Sequence, residues 1–146
     1  MNALSNEVLD SFYAINKAIF RLVKSDADRI GITVVQLKVL HEISICPNIG
    51  LGELAEHLRL TNSTVSGVID RLVQGGFVDR VTSPQDRRAI SLQLTDEGRN
   101  KLANLIDSES VLVERLNKVL EMPEEEIRHL LTLHQTILNV LINKED

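Results

Sequence analysis

Two groups of side chains in this sequence have the types and spacing to recognise a polyanion. The first lies on the run Asn62–Gln74. If Val65, Val68, Ile69, Leu72 and Val73 form the buried stripe of a helix, the opposite arc carries Ser63, Thr64, Ser66, Gly67, Asp70, Arg71 and Gln74, with Asn62 at its head. Hydroxyls, Gln and Arg on one arc can meet base edges or phosphates. Gly67, near the middle of the arc, permits close backbone approach. An ordinary solvated face has a similar composition, so this helix alone does not decide the matter. The second group is Asp86-Arg87-Arg88, at the expected tip of a hairpin, with Arg80 on the strand before it. Guanidinium groups at such a tip can enter a minor groove, whose negative potential deepens where the groove narrows. Asp86 is awkward beside phosphates and is assigned a structural role, either orienting an arginine or bonding the backbone of the turn. A solvated charged turn is the plainer account of the triplet, but a helix pair directly ahead of it favours recognition of DNA.

The remaining reactive residues form no pattern of comparable specificity. The single cysteine, Cys46, excludes an intramolecular disulfide or a CxxC pair; it reads as a small apolar or tolerated residue beside Pro47. His41 shares a helical face with Leu37 and is expected as a hydrogen-bonded core histidine. His57 falls in the recognition region, and His129 and His134 stand five apart, off a common face. Zinc needs several such groups to converge, so no metal and no cofactor is expected. The seven glycines include no GxGxxG or Walker sequence, no Ser-His-Asp set or carboxylate pair stands out, and the chain is not expected to be an enzyme. Aromatic content of 3% without Trp argues against base-stacking platforms for single strands.

The elements that must position these groups follow from apolar spacing. Leu4, Val8, Phe12, Ile15, Ile19 and Leu22 predict a long amphipathic helix ending near Gly31. Thr33 and Gln36 fit a capping box opening a second helix, which Pro47 closes. Leu51–Leu58 is a short third helix. After the turn Arg59–Thr61 comes the Asn62–Gln74 helix, stopped by Gly75-Gly76. This is a helix-turn-helix pattern, whose second helix would read the major groove. Phe77–Val81 and Ile90–Leu94 read as two strands of a hairpin, joined through Ser83, Pro84 and Gln85. Thr95 caps a helix expected to run unbroken to about Leu120 through Leu102, Leu105, Ile106, Leu112, Leu116 and Val119. Pro123 and Glu124–Glu126 start a last one, with Ile127, Leu130, Leu131, Ile137, Leu138 and Leu141 along it. The fold class is therefore mainly α with a small two-stranded β wing, a winged helix-turn-helix flanked by N- and C-terminal dimerisation helices.

The 146 residues are long enough to bury a core without staples, and 43% hydrophobic with 25% charged residues is globular usage. No apolar run suggests a membrane span, and the N-terminus lacks the basic start of a signal peptide; a cytoplasmic protein is expected. A net charge of −5 argues on its own against nucleic acid. Its distribution argues otherwise. Residues 59–88 carry five arginines against three acids, whereas residues 121–146 carry two bases against six acids. The single chain, 1–146, divides into a winged helix-turn-helix region at 30–95 and helical regions at 1–29 and 96–146. The apolar stripes of the latter lack partner surface within one chain, so a homodimer is expected. A small apolar or aromatic ligand between these helices and the winged region would have Phe12, Phe20, Leu37 and His41 as its candidate lining.

Leu51-Gly52-Glu53-Leu54-Ala55-Glu56-His57-Leu58, Asn62-Ser63-Thr64-Val65-Ser66 and Leu72-Val73-Gln74-Gly75-Gly76-Phe77-Val78-Asp79-Arg80 together resemble the multiple-antibiotic-resistance-regulator (MarR) family. So do Ser83-Pro84-Gln85-Asp86-Arg87-Arg88-Ala89 and Leu92-Gln93-Leu94-Thr95-Asp96-Glu97-Gly98, which match its wing and wing exit. The resemblance implies a bacterial dimeric transcription regulator, usually a repressor, on pseudo-palindromic double-stranded DNA. It maps the wing aspartate-x-arginine onto Asp86 and Arg88, with Arg88 as the minor-groove contact. It also implies release by an inducer in many members, although the N-terminal helix lacks the cysteine of peroxide-sensing members and residues 99–120 lack the histidines of zinc-sensing ones. The alternative is a winged helix used only for protein contact or dimerisation.

Overall fold

Local chemistry sets most element boundaries. The computed structural model describes residues 2–82, 86, 88–105 and 109–142. Helix α1 (Ala3–Arg29) is capped by Asn2, and α2 (Val34–Ile45) by the full Thr33–Gln36 box: the Thr33 hydroxyl accepts the Gln36 N–H at 3.1 Å while Gln36 accepts the Thr33 N–H at 2.9 Å. Strand β1 (Ile49–Gly50) leads into α3 (Leu51–Leu58) and α4 (Asn62–Gln74). Gly76, at φ 78°, supplies the left-handed turn after α4, while Gly75 remains helical at φ −75°. Strands β2 (Val78–Thr82) and β3 (Ile90–Leu94) form the wing. Helices α5 (Asp96–Ala103), α6 (Val111–Val119) and α7 (Glu124–Ile142) complete the described chain.

The sheet has three strands, not two, in the order β1-β3-β2 and antiparallel throughout. Ile49 pairs with Leu92 and Gly50 with Ser91, so β1 covers the inner edge of the wing. Two residues are too short a strand to show alternation in sequence, and only the pairing partner reveals them. The core is built from Leu37, Val39, Leu40 and Ile43 of α2, Leu54 and Ala55 of α3, Val65, Ile69 and Leu72 of α4, and Ile49, Val78 and Leu92 of the sheet. Val68 and Val73 are only partly buried against it. His41 is exposed rather than in the core. Val39, Leu40 and Ile43 centre the buried arc of α2, Leu37 sits at its margin, and one further turn carries His41 into solvent.

The expected single helix over 95–120 is two helices. Ser110 caps α6, its hydroxyl accepting the Val113 N–H at 3.1 Å. Asp26 of α1, only 2% exposed, accepts the Ser110 hydroxyl at 2.7 Å and the N–H groups of Val111 and Leu112 at 2.8 and 3.1 Å. A carboxylate from 84 residues upstream thus occupies the positive end of α6, satisfying donors that a continuous helix would have used internally. Arg29 adds a hydrogen bond to the Asn104 carbonyl oxygen at 3.0 Å and a contact with Glu109. Ile106, placed on the expected stripe, lies outside the described residues, as do Ser83, Pro84, Gln85 and Arg87.

The terminal helices keep their apolar stripes largely uncovered. Leu4, Val8, Ile15, Ile19 and Phe20 of α1 are exposed, and α7 buries none of its residues despite carrying Leu130, Leu131, Leu138 and Leu141. No helix among the described residues is long and apolar enough to cross a membrane.

Candidate nucleic-acid interface

The turn between α3 and α4 is set by two residues. Arg59 adopts the left-handed conformation, at φ 52°, ending α3 so that the Leu60 N–H reaches the Ala55 carbonyl at 2.9 Å. Thr61 then caps α4: its hydroxyl accepts the Thr64 N–H at 3.1 Å and lies 2.9 Å from the Thr64 hydroxyl. With Val65, Ile69 and Leu72 anchored in the core, α4 turns its other arc outward. Asn62, Ser63, Thr64, Gly67, Asp70 and Arg71 are exposed, and Ser66 is half-buried at the edge of the arc. No heavy atom outside the helix backbone comes within 4 Å of a Cβ built on Gly67, so the molecule itself makes no demand for glycine there.

Asp70 and Arg80 are brought together as an ion pair joining α4 to β2. The Arg80 guanidinium is thereby held against the base of the recognition helix instead of projecting alone from the strand. On the wing, Asp86 accepts the Arg88 backbone N–H at 2.9 Å through its side chain and the Ala89 N–H at 3.0 Å through its carbonyl oxygen. The side-chain hydrogen bond makes an Asx-type turn, the main-chain one closes it, and Arg88 is left exposed at the tip. Arg87 lies outside the described residues.

The four candidate ligand-lining residues are dispersed. Phe12 lines an apolar groove of about 570 Å³ between α1 and α7, with Tyr13, Ile15, Ile19, His134 and Leu138 among its neighbours. Leu37 is in the core, and Phe20 and His41 are exposed.

A polar cluster not foreseen from sequence joins α2 to α3. The His57 Nδ1 lies 2.7 Å from Glu42 Oε1, the Cys46 thiol donates toward the same oxygen at 3.9 Å, and His57 Nε2 is 3.9 Å from Glu53. The hydrogen bond to Glu42 raises the His57 pKa; burial first, then the Glu42 and Glu53 charges, push the Cys46 thiol up. Glu42 and Cys46, four apart on one helix, were a readable pair; only the packing of α3 on α2 brings in His57.

A two-helix unit with a tight turn, an outward polar recognition helix and an arginine-tipped β hairpin defines a winged helix-turn-helix DNA-binding protein. The MarR family model matches residues 32–90. The chain is 29% identical over 112 residues to the transcriptional repressor MdtR of Bacillus subtilis strain 168, covering 77% of this chain and 72% of that one. It is 30% identical over 98 residues to the multiple antibiotic resistance protein MarR of Salmonella typhimurium, covering 65% and 68%. The crystal structure of wild-type Escherichia coli MarR in its apo form superposes with a TM-score of 0.71 at 26% identity, over 94% of this chain and 98% of that one. The chain belongs to the MarR family and is a DNA-binding transcriptional regulator.

Proposed function

We propose that the protein is a homodimeric repressor of pseudo-palindromic operators, with the 30–95 region on DNA and the 1–29 and 96–146 regions forming the dimer. The observation that carries this reading is the outward arc of α4, polar from Asn62 to Arg71 over a buried apolar stripe. Two such helices would enter successive major grooves, about 10 base pairs apart, with Arg88 in the flanking minor groove and Asn62, Ser63, Thr64, Ser66 and Arg71 toward bases and phosphates. Arg87, next to Arg88 in sequence, belongs to the same proposed wing contact. The uncovered stripes of α1 and α7 support pairing of two chains, because α7, 19 residues long, buries none of them against the described residues and a second chain would supply the apolar surface it lacks. A small apolar or aromatic molecule in the α1–α7 groove beside Phe12 could act as inducer by binding one dimer conformation more tightly than the other.

Gel shifts across salt concentration test the assignment. Arg88→Ala should weaken binding by about 1–3 kcal/mol and reduce the salt slope by about 1, whereas Ser66→Ala should mainly change base preference. Equal losses on all sequences for both variants would contradict it. Gly67→Ala supplies a separate check. Alanine there should stabilise the free chain by about 1 kcal/mol, since the position is helical and open. If α4 lies close against the duplex, the same variant should bind DNA more weakly despite being more stable; retained affinity would remove Gly67 from the interface.

A further inference from the structure

We propose that Glu42, Cys46 and His57 form a binding site for one zinc ion, which ties the first helix of the helix-turn-helix to α2. The three side chains each offer a ligand atom, and those atoms all lie within 4.8 Å of one another. Around a tetrahedral zinc with bonds of about 2.0–2.3 Å, neighbouring ligand atoms stand about 3.3–3.7 Å apart. The observed Nδ1–Oε1 and Sγ–Oε1 separations of 2.7 and 3.9 Å bracket that range, so small side-chain rotations open the cavity for the ion.

The donor set of one thiolate, one imidazole and one carboxylate suits zinc better than magnesium or calcium, which prefer oxygen alone. Three protein ligands leave a fourth position for water. A supporting carboxylate stands nearby. With Nδ1 on the metal, the Nε2–H of His57 faces Glu53, 3.9 Å away, and a rotation of the exposed Glu53 side chain would bring it into the hydrogen bond that carboxylates commonly make behind metal-bound histidines. Glu42 and Cys46 are partly buried, Glu42 in the last turn of α2 and Cys46 at its C-cap, on a helix whose Leu40 and Ile43 are in the core. His57 comes from α3, so the ion would replace the single Glu42–His57 hydrogen bond between the two helices with metal bonds to both. The imidazole and the thiol both turn to the same Glu42 Oε1, so all three ligand groups already converge on one point. The site uses none of the residues assigned to DNA and does not rest on the operator reading.

Titration of the reduced, metal-free full chain with zinc chloride against a chromophoric chelator should show one tight equivalent per chain. Cobalt(II) in place of zinc should give a sulfur-to-metal charge-transfer band, absent in Cys46→Ser. Glu42→Gln, Cys46→Ser and His57→Gln should each weaken zinc binding roughly tenfold or more, while His41→Gln and His129→Gln leave it unchanged. His57 is exposed, so His57→Gln should keep the parent circular dichroism spectrum and remain informative even if a Cys46 variant folds poorly. No tight equivalent in the parent chain, or parent-like affinity in His57→Gln and Cys46→Ser, would overturn the site.

Discussion

Asp26→Ala should lower the stability of the chain by about 3 kcal/mol. The change removes a carboxylate that accepts the Ser110 hydroxyl and the Val111 and Leu112 N–H groups. Those donors then lack a partner at a site where Ser110 is only 3% exposed. Asp26→Asn should cost less, because an amide oxygen can still accept from one or two of the three while its NH2 group faces the rest. The effect should depend on pH with a definite sign. Burial by itself would raise the Asp26 pKa, but the Ser110, Val111 and Leu112 hydrogen bonds, together with the Arg29 charge, outweigh it and hold the carboxyl below its ordinary range. The stabilisation is therefore complete above the pKa of the unfolded chain and is lost as pH falls through the folded pKa. Denaturant midpoints of parent and Asp26→Ala should lie furthest apart at neutral pH, and the gap should narrow in acid. A constant difference at all pH values would show that the carboxylate charge contributes nothing to the α1–α6 junction. Because this junction holds α6 on α1, the variant should also weaken self-association if the terminal helices form the dimer.

Gly98→Ala should destabilise by about 3 kcal/mol, opposite in sign to what helix propensity suggests. In an open helical position alanine gains about 1 kcal/mol over glycine. Here a Cβ would stand 2.1 Å from the Phe77 carbonyl oxygen and 3.1 Å from its carbon. These are backbone atoms and cannot swing aside. The same carbonyl oxygen accepts the Thr95 N–H at 3.1 Å, and the Thr95 hydroxyl donates to the Gly76 carbonyl oxygen at 2.6 Å while accepting the Gly98 N–H at 3.0 Å. Room for one methyl group therefore requires α5 to move off the start of the wing, disturbing that set of bonds and the Lys101 ammonium 5.2 Å over the Phe77 ring. Thermal unfolding of Gly98→Ala beside Gly67→Ala, where a Cβ meets nothing, separates the steric cost from propensity. A Gly98→Ala chain as stable as the parent, or more so, would refute the clash.

Most of the winged region was legible because its determinants are local. The Thr33–Gln36 box and the Thr95 cap set the starts of α2 and α5 and the turn at Gly76 the end of α4, each acting within four residues, so these boundaries can be read by inspection. The stripe of α4 was readable for the same reason, and with it the outward polar arc. Asp86 also acts locally, on an N–H two residues ahead.

The features that escaped are those made by residues far apart in the chain. An apolar period cannot reveal that Asp26 will take the first turn of α6 and divide what reads as one helix. Nor does it show that Ile49 will pair with Leu92 as a third strand, that Asp70 will hold Arg80, or that His57 will arrive beside Glu42 and Cys46. His41 shows the same limit within a single helix: period alone placed it with Leu37, and the direction from which the rest of the core packs on α2 put it in solvent. The linear order of residues thus determined the helices, the turn and the recognition arc, because hydrogen bonds and side-chain spacing within a few residues suffice for them. Only the folded chain decided the helix break, the extra strand and the polar cluster, because each depends on groups from distant segments meeting in space.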